Sequence, residues 1–199
     1  MQFINLAVYG LEESIIKSGY PMQTGTPSVL APRVIRSSDD RNRSLKLAKT
    51  PSGSGHNNFL KGIIVQFDLQ YPEYFSPQLQ RYHWIDIVSS QSKMHRLTSK
   101  VLSKEDFTIG VFASTIQDLN GFITIHQTLP DCAEKKEVFQ RIMTNLPSGY
   151  LKWMGISTNY LQLKTIYNQR KNHKLIEWRE FCEFIETLPS SGLITNKEI

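Results

Sequence analysis

The sequence is poor in the features that mark exported, membrane-bound or metal-dependent proteins. It has 2 cysteines, Cys132 and Cys182, far apart and in no CxxC pattern. That excludes a disulfide framework and a cysteine zinc site, and predicts buried or free thiols in a reducing compartment. The N-terminal stretch MQFINLAVYGLEESI has neither the basic start nor the long apolar core of a signal peptide. No stretch approaches 18 consecutive apolar residues, so none reads as a membrane span. The protein is expected to be cytoplasmic and off the membrane. No run of five like charges occurs, which excludes a polybasic arm. None of the histidines, His56, His83, His95, His126 and His173, pairs at the i, i+4 spacing of a zinc helix, so no metal is expected. There is no Gly-Lys-Ser/Thr phosphate loop, no Gly-x-Ser-x-Gly elbow, no ribonucleoprotein motif and no heptad repeat. A nucleic-acid partner therefore has no motif behind it.

What is present is enough apolar material for one core. Hydrophobic residues make up 40% of the 199, with 10 Phe, 8 Tyr and 3 Trp. This fits a single domain, 1–188, followed by a tail, 189–199, expected to fray. The formal charge is +5, a moderate excess that favours an anionic partner such as a nucleotide.

Local patterns predict an α+β chain, mostly helical, with a small sheet and no βαβ rhythm. Residues 2–9 read as a strand ended by Gly10, with a short helix over 12–18. Residues 19–32, with three prolines and two glycines, read as a loop. Residues 41–49 are basic and helix-competent, and 50–58 form a Gly/Ser turn. The clearest strand is 62–70, where Val65, Phe67 and Leu69 alternate with Gln66, Asp68 and Gln70. Helices are expected at 77–84, from Ser89 to Leu97, from Asp106 to about Ile125, from Pro130 to Leu146, and at 175–188. The last has Trp178, Phe181, Cys182, Ile185 and Leu188 on one face.

Two stretches concentrate groups able to hold a ligand. The first is Asn159 to Arg179, which opens as a helix capped by Thr158 or Asn159. Asn159 and Arg170 are separated by roughly 1100° of helix, about 20° from eclipse and about 16 Å apart along the axis. They bracket Leu163 and Ile166, a half-apolar wall suited to a long, flat, anionic ligand. A surface helix with ordinary polar residues has the same pattern. The second is Arg81 to Arg96, which includes Tyr82, His83, Trp84, Ser92, Lys93 and Arg96. Its aromatic planes can stack on a base or a flavin, and its Ser, Lys and Arg can hold phosphate. An amphipathic pair of helices with a solvated basic face would look alike.

At these residues the chain resembles a family, the flavin-dependent thymidylate synthases (ThyX). Tyr82-His83-Trp84, seven residues, then Ser92 is similar to a degenerate form of the family's Arg-His-Arg-x7-Ser signature. His56-Asn57-Asn58-Phe59-Leu60-Lys61-Gly62 resembles the segment before its next strand, with only the first His kept. Arg141 before Leu146-Pro147 is similar to its Arg-x-x-Leu-Pro, with two extra residues. Asn159 to Arg170 has the spacing of its Asn-x-Arg-Ser-Leu helix, and Glu177-Trp178-Arg179 fits the segment that follows.

The resemblance implies a mixed α/β protomer assembled as a homotetramer, with sites between subunits that bind FAD and dUMP. By it, Ser92, Arg141 and Arg170 fall on nucleotide positions, with Arg96 and Gln80 beside them. Arg170 and Ser92 would be the catalytic pair. His56, His83, Asn159, Tyr82 and Trp84 fall on flavin positions. Where the family carries arginine, this chain has Tyr82, Trp84, Met94 and Leu161. At roughly 1.5–3 kcal/mol per charged hydrogen bond, those losses weaken FAD binding by several kcal/mol. The expected function is a diverged, non-catalytic nucleotide-binding protein that holds or senses a nucleotide or a nucleotide-derived signal, in the manner of small accessory or phage-type proteins. The alternative is an active FAD-dependent enzyme methylating dUMP.

Overall fold

The computed structural model describes residues 1–25, 38–51 and 53–197. The rest of the expected 19–32 loop from residue 26 on, Ser52 of the Gly/Ser turn, and the tail's last two positions lie outside the described residues.

The chain starts with strand β1 (Gln2–Tyr9) and turns at Gly10 into helix α1 (Leu11–Lys17). Gly10 has φ 70°, and a Cβ there would stand 2.5 Å from the Gly62 carbonyl oxygen. Only glycine satisfies both demands. Helix α2 (Ser38–Ala48), strand β2 (Ile64–Pro72), helix α3 (Ser76–Leu79), strand β3 (Asp86–Ser90) and helix α4 (Lys93–Arg96) follow. Then come helices α5 (Ala113–Thr128) and α6 (Ala133–Asn145), strand β4 (Leu151–Asn159), and helices α7 (Tyr160–Arg170), α8 (Ile176–Glu186) and α9 (Gly192–Thr195). This is the α+β arrangement expected, with a small antiparallel sheet.

The sheet runs β1-β2-β4-β3 with every pairing antiparallel. In β2, Val65, Phe67, Leu69 and Tyr71 are buried, facing Thr158, Ile156, Met154 and Lys152 of β4 in register. The period-2 burial puts these side chains in one core with Leu163 and Ile166 of α7 and Trp178, Phe181 and Ile185 of α8. A second cluster lies between α5 and α6, built from Ile116, Leu119, Ile123, Val138 and Ile142 with Phe107 and Tyr150. No helix among the described residues is long and apolar enough to cross a membrane.

Several local expectations are corrected. The helix expected from Ser89 is instead strand β3 with one turn of helix after Ser92, because the stretch pairs with β4 as an edge strand. The helix expected to reach Trp84 stops at Leu79. The one expected from Asp106 starts at Ala113, since Phe107 bridges to Tyr150. Strand β4 was not expected at all. The tail does not fray over its described part: Leu193 and Ile194 are buried, and Tyr160 donates its hydroxyl to the Pro189 carbonyl.

Candidate functional site

The two stretches singled out in the sequence meet. Strand β4 leads straight into α7, and Asn159 at the junction caps the helix, its Oδ1 accepting the Gln162 N–H at 2.9 Å. Gln162 is buried, and its Oε1 accepts the Trp84 N–H at 3.2 Å. Thr158 Oγ1 donates to the Trp84 carbonyl at 2.7 Å. Trp84 is thus held by its backbone while its indole stays 57% exposed. His83 meets that ring edge-on at 5.2 Å.

The far end of α7 holds the same turn. Arg170 Nε donates to the Tyr82 hydroxyl at 2.7 Å, and that hydroxyl donates to Gln169 Oε1 at 3.0 Å. The guanidinium lies 4.7 Å from the centre of the Trp178 ring and 5.6 Å from that of Tyr82. Both rings are buried, and Trp178 Nε1 donates to Gln78 Oε1 at 2.9 Å. Stacked on aromatic faces, Arg170 is held by cation–π attraction in a fixed place. Among the described residues no carboxylate pairs with it. His173, whose ring is 6.4 Å from Trp178, is held below its ordinary value by burial and by the positive charges of Arg170 and Lys174. Arg170 and Lys174 thus place two positive charges near the His173 ring.

The remaining expected site residues make no bond to Arg170 among the described residues. Ser92 is exposed at the start of α4, its carbonyl accepting the Arg96 N–H. Arg96 donates to Gln91 Oε1 and, at 3.2 Å, to the Leu151 carbonyl, and lies over the Tyr150 ring. It braces β3 and β4 as much as it offers charge. Arg141 is exposed on α6 and pairs with Glu137 at 2.7 Å. Gln80 is exposed and donates to Ser76 Oγ at 3.1 Å. His56 is exposed in the turn before Asn57. Among the described residues no hydrogen bond or ion pair joins Ser92, Arg96 or Arg141 to Arg170.

Sequence reasoning missed Gln162, Gln169 and Trp178 as parts of the site. Trp178 was placed in the core by its helical spacing, and it does lie there. Its second role as the plane under Arg170 depends on the turn between α7 and α8, which no periodicity reports.

No protein-family model matches the chain, and no curated protein does. Solved structures do. The flavin-dependent thymidylate synthase ThyX from Helicobacter pylori, complexed with FAD and dUMP, matches with a TM-score of 0.68 at 15% identity, covering 98% of this chain and 97% of that one. A second structure of the Helicobacter pylori enzyme with FAD and dUMP, at 2.31 Å, matches with a TM-score of 0.70 at 13% identity over the same shares. From β1 to α9, this chain has the fold of the flavin-dependent thymidylate synthases.

Proposed function

We propose that the protein is a non-catalytic nucleotide-binding protein on this fold, holding or sensing a nucleotide or a nucleotide-derived signal in pockets between the subunits of a homotetramer. The observation that carries this reading is the Arg170 guanidinium, packed against Trp178 and Tyr82 and paired with no carboxylate among the described residues. Such a group is a ready partner for a phosphate or a base carbonyl. Ser92 and Arg141, exposed and without a bond to Arg170 among the described residues, would be delivered by neighbouring subunits.

The flavin positions fit FAD poorly. Tyr82 is neutral, buried and engaged with Arg170. Trp84 offers an exposed ring and no charge, and Asn159 Oδ1 is taken up in capping. A dianionic pyrophosphate would find no guanidinium at 82, 84, 94 or 161.

Purified protein should be colourless. At a hundredfold excess of dUMP over Kd the melting temperature should rise by about 5–10 °C, and FAD should leave it unmoved. Arg170→Ala should abolish the dUMP shift. A yellow preparation that converts dUMP would establish the active enzyme instead. An unchanged shift in Arg170→Ala would remove Arg170 from the site.

A further inference from the structure

A second basic feature lies away from α7's turn. Helix α2 and the α9 segment enclose a cleft of about 750 Å³ that includes Arg41, Lys46, Lys49 and Lys197 at its walls, with Leu45 and Leu193 among its apolar surfaces. None of the Arg170 cluster lines it.

Its charge is one-sided. Among the described residues no carboxylate lines the cleft. Asp40 pairs with Arg43 at 2.7 Å, and Glu186 pairs with Lys197 at 2.6 Å and offsets the charge of that wall, so the cleft's positive charge rests on the α2 side. Arg41 and Lys46 carry no ion pair among the described residues, and both are exposed. Arg41 and Leu45 stand one turn apart on α2 and Lys49 follows just past its end, so cation and apolar side chain alternate along the cleft. The walls are anchored. Lys164 of α7, only 2% exposed, donates its ammonium to the Ala48 carbonyl at the end of α2. Leu193 and Ile194 seat α9 in the core.

We propose that this cleft is a binding site for a small organic phosphate of about mononucleotide size. An arginine fork with lysines beside it matches a phosphate's charge and its several acceptor oxygens. The apolar walls offer a surface for the organic body, which an inorganic ion would not use. The volume lies within the range of small-molecule pockets and suits one compact ligand rather than a polymer track.

The test uses AMP, inorganic phosphate and a single-stranded RNA oligonucleotide as probes, titrated calorimetrically into the full chain. AMP should bind saturably and more tightly than inorganic phosphate, and less tightly as salt rises. The Arg41→Gln/Lys46→Gln variant should lose about tenfold or more in AMP affinity while its melting temperature and dUMP shift stay as in the parent. Arg170→Ala should keep AMP binding at this site, which separates it from the dUMP site. In the unaltered protein, AMP should protect Lys46 and Lys49 from acetylation, read by mass spectrometry, so the answer does not depend on a variant that folds. The proposal is overturned by equal affinity for phosphate and AMP, by undiminished AMP binding in the double variant, by loss of AMP binding in Arg170→Ala, or by absence of protection. Tighter, double-variant-sensitive binding of the RNA would also overturn it, in favour of a nucleic-acid surface.

Discussion

The Tyr82 hydroxyl is a relay between two groups of α7. It accepts from Arg170 Nε and donates to Gln169 Oε1, so both of its polar functions are used in a largely buried position. Tyr82→Phe keeps the ring under the guanidinium but strands the Nε–H. It should cost about 1–3 kcal/mol of unfolding free energy by urea denaturation. Combined with Arg170→Met, the loss should fall well short of the sum of the single losses, because the two changes remove one interaction. Strict additivity would show that the relay contributes nothing. Both residues were legible in the sequence as candidates, from their place in two polar–aromatic stretches. Their contact was not, since 88 residues separate them and Tyr82 stood as a flavin contact.

Among elements, the end of β2 is fixed to its neighbours by one carboxylate. Glu73 pairs with Lys93 of α4 at 2.8 Å and with Lys152 of β4 at 3.2 Å. Burial raises its carboxyl, but the hydrogen bonds and charges of the two ammonium groups outweigh that and hold it below its ordinary value of 4.5. A carboxylate depressed in the folded state stabilises it at pH values above the unfolded pKa, and that stability is lost as the pH falls through the folded one. Glu73→Gln should therefore lower stability at pH 7 by about 1 kcal/mol, a figure kept small by the pair's partial exposure. The gap between variant and parent should close as the pH drops below about 4.5. A gap of constant size between pH 7 and pH 3 would assign the loss to packing rather than charge. Legibility differed by element for physical reasons. Strand β2 and helix α8 were readable because each buries one face and exposes the other, at period 2 and period 3.6. Strand β3 was not, because all its residues are exposed and its conformation comes from pairing with β4. In β4, Met154, Ile156 and Thr158 do alternate inward, but the stretch had no reading of its own in the sequence. Helix α9 is too short to show a period, and its burial is tertiary.

At the scale of the whole molecule, one protomer leaves its candidate groups unconnected by any bond among the described residues and several large apolar side chains exposed. Ile109, Phe112, Val88 and Met94 are all at least 60% exposed. Were they to lie in one patch, they would suit a surface that meets a partner. Arg170 lies at the end of α7, Ser92 on α4 and Arg141 on α6, with no bond between them among the described residues. The proposed pocket, if it needs all three, would be completed by symmetry-related copies, as cyclic and dihedral assemblies allow. Light scattering should accordingly give about four times the chain mass of 22.9 kDa. Subunit mixing tests the site itself. Arg141→Ala and Arg170→Ala homotetramers should each fail to bind dUMP. If the two side chains reach one pocket from different subunits, co-refolded mixtures will contain some pockets with both arginines, Arg141 from an Arg170→Ala chain and Arg170 from an Arg141→Ala chain. With random assembly these make up about a quarter of all pockets, and binding should return to about that level. If each chain holds a complete pocket, every pocket in the mixture carries one substitution and no binding returns. A monomer, or a mixture that stays inert, would place the nucleotide site within one chain.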